Sequence, residues 1–233
     1  MEENKMSTNI SAVAVAESSF FSRVYKWMAG GLFMTAGGSM FMLMNPVLLK
    51  GMLMNPMLMI GLFIVEIGLV VWLSSRIQSM TFAKASGIFC AYSILNGVVL
   101  TPIFLVYTGA SIVSTFAITA GTFLVFSVYG NVTKRDLTSM GGLCMMGLIG
   151  FIIASVVNIF LQSAAIDWII TYGLIAVFLG LIAYDTQRLK AMMAQGFDSK
   201  ESEGKMALMG ALRLYLDFIN LFILLLRIFG VRR

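Results

Sequence analysis

Seven mostly apolar runs, at roughly 27–49, 57–75, 82–106, 111–130, 140–161, 166–187 and 207–229, account for most of the chain. A helix crossing the hydrocarbon core of a bilayer needs about 20 predominantly apolar residues, and each run is close to that length. Only 12% of residues are charged and 59% are hydrophobic, with a mean hydropathy of +0.93. Soluble domains carry roughly 25% charged residues. The pattern predicts an all-α, polytopic membrane protein. Residues 1–22 form an N-terminal tail and residues 23–233 a single domain of seven transmembrane helices. No segment is long and polar enough to be a separate soluble domain.

The connections are short. Between the first two runs the string LMNP occurs at 43–46 and again at 53–56. Asn-Pro favours turns, so the two copies are expected to frame a hairpin loop with Lys50 at its tip. The methionines around them read as flexible packing material rather than metal ligands. Gly30, Gly31, Gly37 and Gly38 in the first run, and Gly141, Gly142, Gly147 and Gly150 in the fifth, suit close approach of helices through small residues. Thr101-Pro102 beside Asn96 predicts a kink in the third run, and Asn158 is an interior polar residue of the fifth. Cys90 and Cys144 lie in different runs without metal-ligand spacing. The tail lacks a basic start followed by an apolar core, so it does not read as a secretory signal. Tyr25 and Trp27 mark the interface where the first span begins.

Lys and Arg gather on alternate connections: Lys5, Arg23 and Lys26 before the first span, Arg76 and Lys84 after the second, Lys134 and Arg135 after the fourth. Arg188, Lys190, Lys200, Lys205 and Arg213 surround the sixth–seventh connection. The opposite connections hold only Lys50. This bias places the N-terminus in the cytoplasm, and the net charge of +5 reports orientation rather than nucleic-acid binding. Seven full spans put Arg227, Arg232 and Arg233 outside. Either the inner charges dominate or the last segment dips in and returns; seven full spans is the favoured reading.

Two aspartates, Asp185 in GLIAYDTQRL and Asp217 in LRLYLDFINLF, sit in runs where a charge is costly and usually faces a protein interior, a cavity or a partner. Asp217 is about ten residues into the last run, roughly 15 Å deep at the helical rise. Arg213, Asp217, Asn220, Leu224 and Arg227 follow a 4-3-4-3 spacing that puts them on one stripe, as befits a helix enclosed by others. Each aspartate has an ordinary alternative: Asp217 paired with Arg213, Asp185 with Arg188 or interfacial water. Placed together, two carboxylates would share a proton, which makes a pH-dependent latch. Glu66 stands alone in GLFIVEIGLVVWL, either a cation-path carboxylate or a packed, protonated one. Arg76 ends the same run, as a latch to Asp185 or a snorkelling arginine. Histidine is absent, which removes the commonest metal ligand and the usual pH switch.

LIAYDTQRL and LYLDFINLFILLLRIFG resemble the sixth- and last-helix motifs of the Bax inhibitor family, the transmembrane BAX-inhibitor-motif proteins. SIVSTFAITAGTF and YGNVTKRDL also fit. The likeness covers nearly the whole chain, and the short tail and loops look like the bacterial branch. The resemblance implies a seven-helix bundle with the last helix central. It implies that Asp185 and Asp217 are a pH-sensing aspartyl pair gating a calcium leak, with Arg76 a candidate latch and Glu66 a candidate pore carboxylate. Arg213 and Asn220 are supporting polar residues. Only Val231-Arg232-Arg233 follows the last helix, in place of the basic tail of eukaryotic members.

The leading expectation is therefore a pH-sensitive, calcium-permeable leak channel of the bacterial inner membrane. It needs no cofactor; Ca²⁺ and protons are its cargo and the lipid bilayer its surroundings. The alternative is a membrane-embedded regulator that binds a membrane protease or another membrane machine, with residues 1–20 and 190–206 as handles. An intramembrane aspartyl protease is disfavoured, because Leu214-Tyr215-Leu216 precedes Asp217 where those enzymes have Gly-x-Gly. No catalytic activity is expected.

Overall fold

The computed structural model describes the backbone of residues 2–233 and the side chains of residues 15–233. Its helices are α1 (Glu2–Met44), α2 (Pro46–Leu53), α3 (Pro56–Arg76), α4 (Phe82–Val106), α5 (Gly109–Val132), α6 (Thr138–Leu161), α7 (Ala164–Ala194) and α8 (Lys200–Phe229), with a 3₁₀ turn at Ile77–Ser79. Among the described residues there is no strand, and α1 and α3 to α8 supply seven stretches long and apolar enough to cross a membrane. The fold is all-α, as the seven runs predict. α1 runs through the expected boundary at residue 22, where Phe20 and Phe21 are buried. Most of the expected tail falls on residues 1–14, whose side chains lie outside the described residues.

The hairpin loop expected between the first two spans is instead a short helix. Asn45-Pro46 opens α2 and Asn55-Pro56 opens α3, with Pro at the start of each helix and the Asn55 side chain accepting from the Leu58 amide at 3.1 Å. Pro at the first helical position is already set at a helical φ, and its missing N–H would have had no partner there. Asn-Pro therefore starts a helix twice, and Lys50 lies within α2 rather than at a turn.

The residues through Leu105 with Met192–Tyr215 form one compact unit. In it α1 and α4 approach backbone to backbone. A Cβ built on Gly97 would strike the Thr35 carbonyl and the Ser39 amide, and one on Gly38 the Ile94 carbonyl. The hydroxyls of Thr35 and Ser39 bridge the same seam, donating to the carbonyls of Ser93 at 2.9 Å and Gly97 at 2.6 Å. Lipid tails are as apolar as leucine, so helices associate through such packing and hydrogen bonds rather than through a hydrophobic drive. Gly30 and Gly37 face open space, so only one side of the predicted glycine stripe is used. Pro102 lies inside α4, and the Thr101 hydroxyl donates to the Gly97 carbonyl at 2.9 Å.

Val106–Ala191 with Leu216–Arg233 form the second unit. α5 meets α7 where Gly130 lies against the Ala183 backbone and Ser127 shares a 3.0 Å hydrogen bond with Thr186. α5 meets α8 through Phe116 and Phe123 against Phe218, with ring centroids 5.2 and 5.6 Å apart. Gly180 accommodates the Cys144 sulfur, which is plain packing. Asn158, expected as an interior polar residue, closes the α6–α7 turn: it exchanges side-chain hydrogen bonds with the Ser163 backbone at 3.1 and 3.2 Å. That turn needs them because Gln162 adopts a left-handed backbone at φ 51°.

The last helix settles the question left by the C-terminal arginines. α8 runs unbroken for 30 residues, about 45 Å at the helical rise. Its end pairs with the α4–α5 connection: the Thr108 amide donates to the Val231 carbonyl at 3.0 Å, and the Arg233 amide to the Val106 carbonyl at 2.9 Å. Arg227 pairs with Asp167 at the start of α7. The C-terminus thus joins the end of the bundle that holds the third–fourth connection, and the segment does not return. The Arg227–Asp167 pair is about 40% exposed on both sides, so Asp167→Asn should cost under about 1 kcal/mol in an equilibrium melt.

In the α5–α6 connection the Asp136 carboxylate accepts from the Thr138 side chain and from its amide, the latter at 2.9 Å. These bonds hold the carboxyl below its ordinary value of 3.8. A depressed carboxyl contributes stability above its unfolded value and loses it as pH falls through the folded one. Hydrogen exchange over this connection should separate the native chain from Asp136→Ala at pH 5–8 and cease to do so in strong acid, below the range in which carboxylates ordinarily titrate.

Candidate functional site

α8 carries the most costly charge into the most enclosed helix. In its most apolar stretch 67% of residues are buried, against 0–33% in the other six spans. Asp217 sits in that stretch at 5% exposure, followed by Phe218 with its ring contacts to α5. The LYLDFINLF sequence explains the placement. Leu214, Tyr215, Leu221 and Leu226 are fully buried, and the partly exposed residues Met209, Arg213, Leu216, Asn220 and Leu224 fall on one stripe, while Asp217 itself is buried.

Asp185 lies on α7 in the same unit and is half-buried. Its neighbours hold the helix in place. Tyr184 packs its ring against Gly141 of α6, and Thr186, fully buried, bonds to Ser127 of α5. One residue further, Gln187 clamps the α5–α6 connection, accepting from the Leu137 amide at 2.8 Å and donating to the Arg135 carbonyl at 2.7 Å. Asp185 and Asp217 both engage other groups, as do Arg213 and Lys190. The sequence pointed to both aspartates; it gave no sign of the Ser127–Thr186 and Gln187 contacts that orient α7.

The other predicted residues fall as follows. Arg213 is half-buried on α8, in the first unit. Asn220 turns back on its own helix, donating to the Leu216 carbonyl at 2.8 Å. Arg76 ends α3 and is exposed.

Glu66 on α3 is buried at 9% exposure and belongs to a polar group of the first unit that sequence reading missed. Tyr92 on α4 and Tyr215 on α8 lie within electrostatic reach of it. The Tyr92 hydroxyl accepts from Asn96 at 3.1 Å, and the Tyr215 hydroxyl bonds to Thr35 at 2.5 Å. The two tyrosine rings meet edge to face, 5.8 Å between centroids. In sequence Asn96 reads as a kink residue and a tyrosine in an apolar run reads as core, so neither points to Glu66. Among the described residues no three His, Cys, Asp or Glu side chains come together as a metal site.

A family model described as inhibitor of apoptosis-promoting Bax1 matches residues 17–233. The chain belongs to the Bax inhibitor family. Within it, the chain is 44% identical over 216 residues to the inner membrane protein YbhL of Escherichia coli, covering 92% of each. It is 41% identical to a Borreliella burgdorferi protein, covering 93% of this chain and 94% of the relative. A Deinococcus radiodurans protein is 36% identical over 90% of this chain and 89% of its own length. The match takes in all of α3 to α8, including Asp185 and Asp217. This member of the Bax inhibitor family is a multi-pass membrane protein with its most buried charge on its last helix.

Proposed function

We propose that the chain is a pH-sensitive, calcium-permeable leak channel of the bacterial inner membrane, N-terminus in the cytoplasm, gated by Asp185 and Asp217. The observation that carries this is the burial of Asp217 in the least exposed helix of the molecule. An ionisable group there costs stability and is a functional group by default. In this reading the two carboxylates share a proton that holds α8 in place, and its loss lets α8 shift and opens a path. Glu66 serves as the pore carboxylate, Arg76 as a latch on the cytoplasmic side, and Arg213 and Asn220 as polar support. Ca²⁺ passes as cargo, drawn by hard oxygen ligands. Dye-loaded liposomes carrying the purified protein test this: calcium entry that rises from pH 6 to pH 8 supports it, and no entry at any pH overturns it.

A second reading, a regulator docked on a membrane protease, is favoured by one feature. Residues 16–23 of α1 form a joint surface with the α7–α8 connection and the first turn of α8, with Phe20 stacked on Phe197 at 5.3 Å and Arg23 paired with Glu203 at 3.4 Å. A cleft of about 510 Å³ opens between them. A stoichiometric partner crosslinked through this surface in native membranes, together with absent calcium flux, would establish it over the channel.

A further inference from the structure

A second cleft, of about 500 Å³, lies in the second unit where the α5–α6 connection meets the end of α7. Lys134 and Arg135 face it from the connection and Arg188 from α7. Among the described residues none of these three side chains forms an ion pair. The cleft's one lining carboxylate, Asp136, is occupied by its bonds to Thr138. Gln187 fixes the connection through both ends of its amide, so the two loop cations are held on an ordered backbone. Tyr184 adds an aromatic wall with a polar tip.

We propose that this cleft binds the phosphate headgroup of an anionic phospholipid. Three cations against one committed carboxylate, in a cleft of ligand size, select a phosphate. Free phosphate would satisfy the same charges, but the surroundings select lipid. The connection is only five residues long, so the cleft lies at the level where two apolar spans end. α6, which leads away from it, has no buried residue in its apolar stretch and keeps one side open along its length, the other packing on α7. Acyl chains can therefore follow α6 while the headgroup enters the cleft. Basic pockets at membrane-helix ends bind anionic headgroups by this combination of charge and access.

Each surface cation contributes about fivefold in affinity. Native mass spectrometry of the full chain in neutral detergent, titrated with phosphatidylglycerol or phosphatidylcholine, reads the effect directly. The native chain should retain phosphatidylglycerol preferentially, and Arg135→Gln with Arg188→Gln should weaken that retention by about twenty-fivefold. Phosphatidylcholine retention should not change. If the double variant melts early, Lys134→Gln on the exposed connection should still show about a fivefold loss. Equal retention of both lipids, or undiminished phosphatidylglycerol binding in folded variants, overturns the proposal. So does displacement of the lipid by excess inorganic phosphate, which would make this a free-anion site.

Discussion

Calcium entry into liposomes carrying Asp217→Asn should lose its dependence on pH, while the native protein gains about tenfold or more between pH 6 and pH 8. The size follows from the coupling of a proton to the gate: one pH unit is worth about 1.4 kcal/mol per proton. Two units are therefore ample to drive a latch whose closed state is favoured by a few kcal/mol. The sign follows from the shared proton. In the proposed latch the pair is protonated and closed at low pH, and raising pH would remove the proton and release α8. Asparagine cannot lose a proton in this range, and in the proposed latch its amide would donate to Asp185 in place of the shared proton, so flux should stay low throughout. Asp185→Asn should behave in the same way, because either substitution removes the same titration. The double variant should be no more affected than either single one, since residues acting as one unit are not additive. Native-like pH dependence in both single variants, with normal expression and melting, would refute the latch.

Gly97→Ala should be among the most damaging small substitutions in the first unit, lowering stability by about 2 kcal/mol or more. The added methyl group meets the Thr35 carbonyl and the Ser39 amide of α1, which are backbone atoms and cannot rotate away. Separating the helices to make room also stretches the bonds from Thr35 to Ser93 and from Ser39 to Gly97. A drop of roughly 4–8 °C in a detergent melt is expected for a chain of this size. Gly37→Ala is the internal comparison: it adds the same methyl to a helix glycine facing open space, and should change stability by less than about 0.5 kcal/mol. Equal melting of the two variants would show that the α1–α4 seam is not held by close backbone approach.

The sites were legible to different degrees for a common physical reason. Asp217 stood out because charge in an apolar run is rare and costly whatever surrounds it. Glu66 stood out likewise, but its companions Tyr92, Asn96, Tyr215 and Thr35 did not. Hydroxyls and amides can be satisfied within their own helix, so their presence in a run does not say which way they point. The hydroxyl of Thr35 illustrates this: it reaches the Gly31 carbonyl of its own helix at 3.0 Å as well as Ser93 and Tyr215 on two others. The LMNP repeat misled in a different way. Asn-Pro breaks the helix before it and starts the one after it with equal ease, and only packing of Leu49 and Met52 against neighbouring residues fixes α2 as a helix.

The sequence by itself determined seven membrane-crossing helices, the enclosure of the last one and the presence of charges inside it. Those follow from the cost of polar groups in hydrocarbon, which acts on each segment separately. Tertiary structure alone decided which faces meet: Gly38 rather than Gly37 against α4, Thr186 against Ser127, Asp167 against Arg227, and the C-terminus against the α4–α5 connection. A protein interior and a bilayer interior are equally apolar, so hydropathy cannot tell a face that touches protein from one that touches lipid. That choice is made by shape and by hydrogen bonds between residues far apart in the chain.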